Sequence, residues 1–323
     1  MWLKHQLERG ALSLLSGGGN RAPVILIYHR VLPEADPLFP TEVHREQFDR
    51  QLGWLKARFN MLPLLDAVKL AAAGRLPPRS ACITFDDGYA DNSEVALPVL
   101  QKHGLHATFF VATGFLNGGR MWNDTVIESV RRAQGDVFDA TSLGLGRHAI
   151  GNWEERRSAI GALIGQLKYL PMEQRLEEVG KVAQLSGVEL PQDLMMSSAQ
   201  LRKLHAAGMA IGGHTVNHPI LARLPADEAR REIAQGKAAL EEALGAPVRT
   251  FAYPNGKPGQ DYLPEHVAMV RELGFEAAVS TSWGASRGAA DCYQLPRFTP
   301  WDHGMGKWGL RLARNMLQPA ARV

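Results

Sequence analysis

Cysteine is nearly absent from these 323 residues, with Cys82 and Cys292 as the whole complement. Two thiols cannot build a disulfide framework in a chain of this length, and Cys82, set in an apolar run, reads as a small core residue. Long hydrophobic runs are missing too. No stretch reaches about 18 consecutive apolar residues, which excludes a membrane-spanning helix. Aromatic residues make up only 7%, and neither sign of charge dominates, since 36 Lys and Arg against 33 Asp and Glu leave +3. No Lys/Arg stripe interleaved with aromatics occurs, so the footprint of a nucleic-acid binder is lacking. The N-terminus, Met1 to Arg21, carries Lys4, His5, Glu8 and Arg9 before the apolar run Ala11 to Leu15. That run is too short for a secretory signal core, and no A-x-A-like site follows it. The expectation is a protein that stays in the cytoplasm.

What is present is globular. Apolar residues at 45% and charged residues at 21% exclude wholesale disorder. Short apolar runs read as strands buried on both faces: Pro23 to Tyr28, Ala81 to Phe85, Ala107 to Val111, Met209 to Gly213, Arg249 to Tyr253, Glu276 to Ser280 and Tyr293 to Arg297. Amphipathic segments lie between them, at His44 to Arg58, Ser198 to Ala207, Ala226 to Leu244 and Pro264 to Leu273. Gly208, Gly245 and Gly274 stand where three of these should end. Strand alternating with helix predicts an α/β fold with a mostly parallel sheet, open or closed into a barrel. Between Gly114 and Met196 the rhythm breaks, and the helical patterns there (Trp153 to Tyr169, Met172 to Leu185) predict an insertion with no obvious strand.

Three segments carry chemistry, two directly after a predicted strand and the third ending one, where α/β folds place ligands. The first is Thr84-Phe85-Asp86-Asp87-Gly88. Two adjacent carboxylates repel, so one needs a cation or a shared proton; Asp-Gly alone would also suit a plain turn. The second is His214-Thr-Val-Asn-His218-Pro219. Two imidazoles four apart meet one metal if the turn between them is helical, and a carboxylate such as Asp86 or Asp87 would complete a three-ligand site. The third is Arg249-Thr-Phe-Ala-Tyr253-Pro254-Asn255-Gly256, in which Arg249 requires an anion if it is partly buried.

Together, in this order, T-F-D-D-G, H-T-x-x-H-P and R-x-F-x-Y-P-x-G resemble the polysaccharide deacetylases, the metal-dependent carbohydrate esterases with a NodB-homology domain. The resemblance spans Pro23 to Arg297 without the insertion. It implies a distorted (β/α)7-type barrel and an enzyme that hydrolyses the N-acetyl amide of sugar units in a polysaccharide, glycan precursor or glycolipid. It implies a divalent metal, zinc as first choice, on Asp87, His214 and His218, with Asp86 as general base and Arg249 as its partner. Tyr253, Pro254 and Asn255 would line the oxyanion and substrate side, the Asn255 N–H being the donor. The family's late L-x-x-H element, whose histidine protonates the leaving amine, has no match after Pro300. Leu26-Ile-Tyr-His29 has that spacing at the other end of the chain, as in the poly-N-acetylglucosamine deacetylases with permuted motif order. His29 is therefore the expected acid. The D-x-x-D-W element that orients it is not matched, although Asp291 and Leu295-Pro296-Arg297 occupy its region.

The implied organisation is an amphipathic segment at 1–22, the deacetylase domain at 23–302 with its insertion at about 115–196, and a basic tail at 303–323. On a helix, Met305, Trp308, Leu312 and Met316 would share one side of that tail, opposite Lys307, Arg311 and Arg314. Such a helix suits either an anionic membrane surface or packing onto the barrel. Trp122 could stack on a sugar or serve as a buried anchor, and His103 and His106 read as structural. No protein partner is inferable. Two rival functions remain at this stage: an amidase acting on a small non-sugar amide, and a non-catalytic saccharide-binding relative.

Overall fold

The computed structural model describes residues 23–285, 291–300 and 304–323. The predicted segment at 1–22 and the first residue of the predicted tail, His303, lie outside the described residues. In chain order the elements are β1 (Val24–Tyr28), α1 (Arg45–Arg58), β2 (Asn60–Met61), α2 (Leu64–Ala72), β3 (Ser80–Phe85), α3 (Leu97–His103) and β4 (Thr108–Val111). Next come α4 (Trp122–Arg132), β5 (Val137–Ala140), β6 (Gly146–Ala149), α5 (Trp153–Leu167) and α6 (Met172–Ser186). The chain continues with α7 (Ser198–Ala206), β7 (Ala210–Gly213), α8 (Ala226–Leu244), β8 (Thr250–Ala252), α9 (Pro264–Glu272), β9 (Ala277–Val279) and α10 (Met305–Leu317).

The main sheet has seven strands in the order β1-β3-β4-β7-β8-β9, with β2 paired to the start of β3. Every pairing in it is parallel. β3 and β4 are buried along their whole length, as strands covered on both faces must be. This is the mostly parallel, curled α/β sheet of a distorted barrel. The predicted strand at Tyr293 to Arg297 is reduced to single bridges. Leu295 exchanges hydrogen bonds with Ala278 and Ser280, and Phe298 with Ile25 and Ile27, so this segment reaches from β9 to β1. Pro296 lies between the two bridges and has no N–H to continue a ladder.

The described residues separate into two compact units, of which the barrel holds those up to Glu34, Val43–Leu116 and Met196–Val323. The other comprises Ala35–Glu42 and Asn117–Met195. It has its own core, built from Val126, Val130, Phe138, Ile150, Ile160, Leu163, Leu167 and Val182. Contrary to expectation it contains strands, since β5 and β6 form an antiparallel hairpin. Their alternate burial, exposed then buried along Val137–Ala140, marks a half-buried ribbon too short for its period to stand out in sequence. Trp122 packs against this core beneath the Arg175 guanidinium, 4.9 Å from its ring centroid, as an anchor does.

α10 packs back onto the barrel. Trp308, Leu312 and Met316 are buried, and the Trp308 ring meets Trp54 edge-on at 4.7 Å. The apolar stripe that would have suited a membrane surface is therefore occupied. Among the described residues no helix is long and apolar enough to cross a membrane. Replacing a fully buried indole by a methyl group leaves a large cavity. Trp308→Ala is expected to destabilise the barrel by about 3–5 kcal/mol in urea unfolding. A shift below about 1 kcal/mol, the size of a surface substitution, would show that α10 is not docked.

Candidate active site and metal centre

The site is assembled at the C-terminal ends of the parallel strands from three loops, and the backbone of each is bent into the left-handed region. Asp87 has φ 74°, Thr215 66°, His218 53° and Asn255 58°, four of the six non-glycine residues with positive φ among those described. Such conformations persist only where the surroundings over-determine them. After β3, Gly88 (φ 90°) completes the turn and passes so close to β4 that a Cβ there would stand 2.9 Å from Val111 Cγ1. After β7, Glu232 of α8 accepts the N–H groups of Val216 and Asn217 on Oε2 at 2.9 and 2.8 Å and the Asn217 amide on Oε1 at 2.7 Å. Gly236, one turn further along α8, has no side chain to separate that helix from the Thr215 backbone. The turn that brings the two histidines together is thus an irregular loop clamped by Glu232, not the helical turn that their spacing suggested.

Asp87, His214 and His218 converge, with one ligand atom from each lying within 4.8 Å of the others. Asp87 Oδ1 stands 3.4 Å from Nε2 of both imidazoles, longer than a good hydrogen bond, and is buried without a hydrogen-bond partner. His214 Nδ1 is 2.7 Å from the Ala252 carbonyl oxygen, so Nδ1 carries a proton and Nε2 is the nitrogen turned toward Asp87; burial lowers the pKa of this imidazole, but Asp87 and Asp86 outweigh it and raise it. Burial, chiefly, lowers the His218 pKa to about 4, which leaves that imidazole neutral and ready to ligate. Burial opposes the ionisation of Asp87, yet His214, His218 and His29 outweigh it and hold the carboxyl below its usual range. An orphaned buried carboxylate oxygen facing the Nε2 atoms of two imidazoles fits a divalent cation.

Asp86 faces a different charge. Arg297 donates to both of its oxygens, Nη1 to Oδ1 and Nη2 to Oδ2, each at 2.6 Å, and both side chains are almost wholly buried. The guanidinium also donates to the Ser280 carbonyl at 2.9 Å and to Thr84 Oγ1 at 3.2 Å. Desolvation pushes the Asp86 pKa up, but Arg297, His214 and His29 prevail and it lies below the ordinary value. The arginine expected here, Arg249, is elsewhere. It precedes β8, is about half exposed (49%) and pairs with Glu276 at 3.4 Å. It lines a 220 Å³ cavity with Thr108, Ala210 and Thr250, at the strands' N-terminal ends. The physical reason is direction, because a strand's first residue lies a strand length from the edge where the carboxylates emerge. The signal for Arg297 was Leu295-Pro296-Arg297, an arginine closing an apolar run.

The remaining predicted residues divide. Asn255 sits at the head of the β8 loop with its carbonyl accepting from Thr281 Oγ1 at 2.6 Å, and its N–H bonds to no group among the described residues. Pro254 is buried beside it. Tyr253 belongs to the hydrophobic core. Its ring is fully buried, stacked on Tyr262 at 3.9 Å, and its hydroxyl donates to the Tyr293 carbonyl at 3.1 Å. His29 is exposed just beyond β1, near enough for its charge to bear on Asp86, Asp87 and His218. His103 and His106 are structural, bound to Asp49 and to the Gly208 carbonyl.

The polysaccharide deacetylase family model matches residues 73–278, well over half of the chain. The chain belongs to the polysaccharide deacetylase family. It is 22% identical over 275 residues to YxkH of Bacillus subtilis, a protein assigned to the same family, covering 84% of this chain and 69% of that one. A stretch of 73 residues is 37% identical to the poly-β-1,6-N-acetyl-D-glucosamine N-deacetylase of Staphylococcus aureus, covering 22% of this chain and only 25% of that relative. Among solved structures, the deacetylase PplD of Streptococcus pyogenes, in complex with acetate, superposes with a TM-score of 0.60 at 19% identity, covering 90% of this chain and 97% of that one. At that identity the likeness speaks for the fold. As a polysaccharide deacetylase the chain is a hydrolase of N-acetylated polysaccharide, and its Asp-His-His group suits a divalent metal.

The two arginines separate cleanly in experiment. Arg297→Ala leaves the Asp86 carboxylate buried and unpaired, so a loss of about 3–5 kcal/mol in stability is expected together with loss of turnover. Arg249→Ala, at a half-exposed pair, is expected to change stability by less than about 1 kcal/mol and to leave turnover intact. Equal losses in both variants would mean that Arg297 is not the partner of Asp86.

Proposed function

We propose that the protein is a zinc-dependent N-deacetylase of a polymer of N-acetylglucosamine. The observation that carries this reading is the division of labour between adjacent carboxylates. Asp87 is left unpaired toward two imidazoles, while Asp86 is held ionised by Arg297. The substrate class is supported by the stretch shared with the staphylococcal enzyme, whose own substrate is poly-β-1,6-N-acetyl-D-glucosamine.

When bound by Asp87, His214 and His218, a divalent metal supplies Lewis acidity, lowering the pKa of water and polarising an amide carbonyl. Asp86 takes the proton of the attacking water as its oxygen bonds to the acetyl carbon. Arg297 fixes the orientation of that carboxylate and keeps it ionised beforehand. The unengaged Asn255 N–H is the donor available to the oxyanion that develops on the carbonyl oxygen. As the C–N bond breaks, His29, protonated, gives its proton to the leaving nitrogen. One water is consumed, and acetate and a free amine are released.

Acetate release from N-acetylglucosamine oligomers by metal-stripped protein re-supplied with zinc tests the reaction and the metal together. Zinc-dependent release is expected. Asp86→Asn is expected to lower turnover by about 100-fold or more with zinc content unchanged, whereas His214→Ala loses zinc and turnover together. Loss of zinc in Asp86→Asn but not in Asp87→Asn would reverse the roles of the two carboxylates.

A further inference from the structure

The acid of this reaction lacks its family's orienting element, and the structure holds another arrangement around it. His29 stands at the end of β1 with its side chain exposed, on a segment whose backbone is gripped from one side. Asn92 Nδ2 donates to the His29 carbonyl oxygen at 2.9 Å and to Asp91 Oδ1 at 3.1 Å. Asp91 Oδ1 also accepts the Val31 N–H at 3.2 Å, while Oδ2 accepts from Arg30 Nε at 2.7 Å. The Arg30 guanidinium lies over the Tyr89 ring, 4.7 Å from its centroid. Every residue of the 29–31 segment is therefore tied to the loop that follows Asp86 and Asp87, at the carbonyl of the first, the side chain of the second and the N–H of the third.

The grip is buried and built on one element. Asn92 is fully buried and Asp91 nearly so. Asn92 opens a single π-helical turn, Asn92–Ala96, inserted ahead of α3. Single turns of this kind are frequent at functional sites. Both amide hydrogens of Asn92 are engaged, and its Oδ1 is left buried without a partner, so the side chain is turned to serve His29 and Asp91 at a cost to itself. The acid and base are thereby fixed to one loop. Asp86 begins it, Asp91 and Asn92 end it, and their contacts reach across to the residue that must meet the nitrogen on the same acetamide.

We propose that Asp91, with Asn92 and Arg30, is the positioning unit that aims His29 at the leaving nitrogen. This rests on His29 being the general acid, as argued above, and it makes none of the three a proton donor itself.

The chemistry of the leaving group provides the test. An amine departs from an N-acetyl sugar only with a proton, whereas the nitrophenolate of 4-nitrophenyl acetate departs without one. Release from N-acetylglucosamine oligomers and cleavage of the ester are measured on the zinc-loaded full chain, with zinc content checked for every variant. His29→Ala is expected to lose about 100-fold or more in kcat on the oligomers and to keep ester cleavage. Asp91→Ala and Arg30→Ala are expected to lose about 10- to 100-fold in kcat on the oligomers, with KM, zinc content and ester cleavage unchanged. Arg30→Lys should restore part of the loss. Adding Asp91→Ala to His29→Ala should cost nothing more, because both act through one group. Arg30 is partly exposed, so its variants give a result even if Asp91→Ala does not fold.

Equal slowing of amide and ester, or a further loss on top of His29→Ala, would make the unit merely structural and overturn the proposal. So would full oligomer activity in Arg30→Ala and Asp91→Ala beside a crippled His29→Ala, which would leave the acid assignment standing. If His29→Ala itself kept oligomer activity, the acid assignment would fail and the positioning role with it.

Discussion

Two carboxylates side by side, both buried, set the central constraint of this molecule. Neither Asp86 nor Asp87 can stay ionised so close to the other and so far from water unless each has its own cation. The protein answers the two differently. Asp86 receives a guanidinium, permanently charged and bidentate, and is thereby fixed in orientation. Asp87 receives two imidazoles at distances longer than a good hydrogen bond, leaving a buried oxygen without a partner at a place that suits a further cation. In the proposed mechanism base and metal ligand are chemically identical side chains one residue apart, and environment alone separates their roles.

That separation needs backbone conformations that most residues avoid. Asp87 and Gly88 turn successive residues of one strand end in different directions, so that consecutive carboxylates meet different partners. Thr215 and His218 do the same for the imidazoles, under the clamp of Glu232. Strain of this kind costs about 1–3 kcal/mol at each position. It is tolerated because the loops are anchored on strands buried through both faces and on helices whose glycines admit close approach. The rigidity of the sheet is what allows irregular loops to hold a geometry.

The chemistry-bearing loops were legible in the sequence because each follows an apolar run directly, and a run buried on both faces is a strong signal. The α/β alternation and the helices around the sheet follow from the same periodicities. Partnerships across the barrel were not legible. Sequence order put Arg249 near Asn255, and only the direction of β8 shows that it belongs to the opposite rim. Arg297, remote in sequence from Asp86, meets it because closure brings the 295–298 segment between β9 and β1. The resemblance implied a site role for Tyr253, yet its ring is buried in the core and stacked on Tyr262, a packing that the motif itself does not reveal. The His-x-x-x-His spacing correctly brought two imidazoles together but suggested the wrong local structure, since a loop with two left-handed residues spans the same gap as a helical turn.

Closure also explains why the C-terminal helix matters to a site it does not enter. Phe298, the residue after Arg297, is fully buried, and its ring lies 6.2 Å from that of Trp308, which in turn meets Trp54 of α1. Arg311 stacks over Trp283 and Phe298 from the same helix. The segment that carries Arg297 makes single bridges and no continuous ladder, since Pro296 has no N–H to extend one, so the packing behind it adds to the hydrogen bonds that hold it. A basic amphipathic tail therefore needs no membrane to account for its apolar stripe. The stripe backs the segment that presents the guanidinium to Asp86, and the charge that keeps that carboxylate ionised has side chains of α10 and α1 packed behind it.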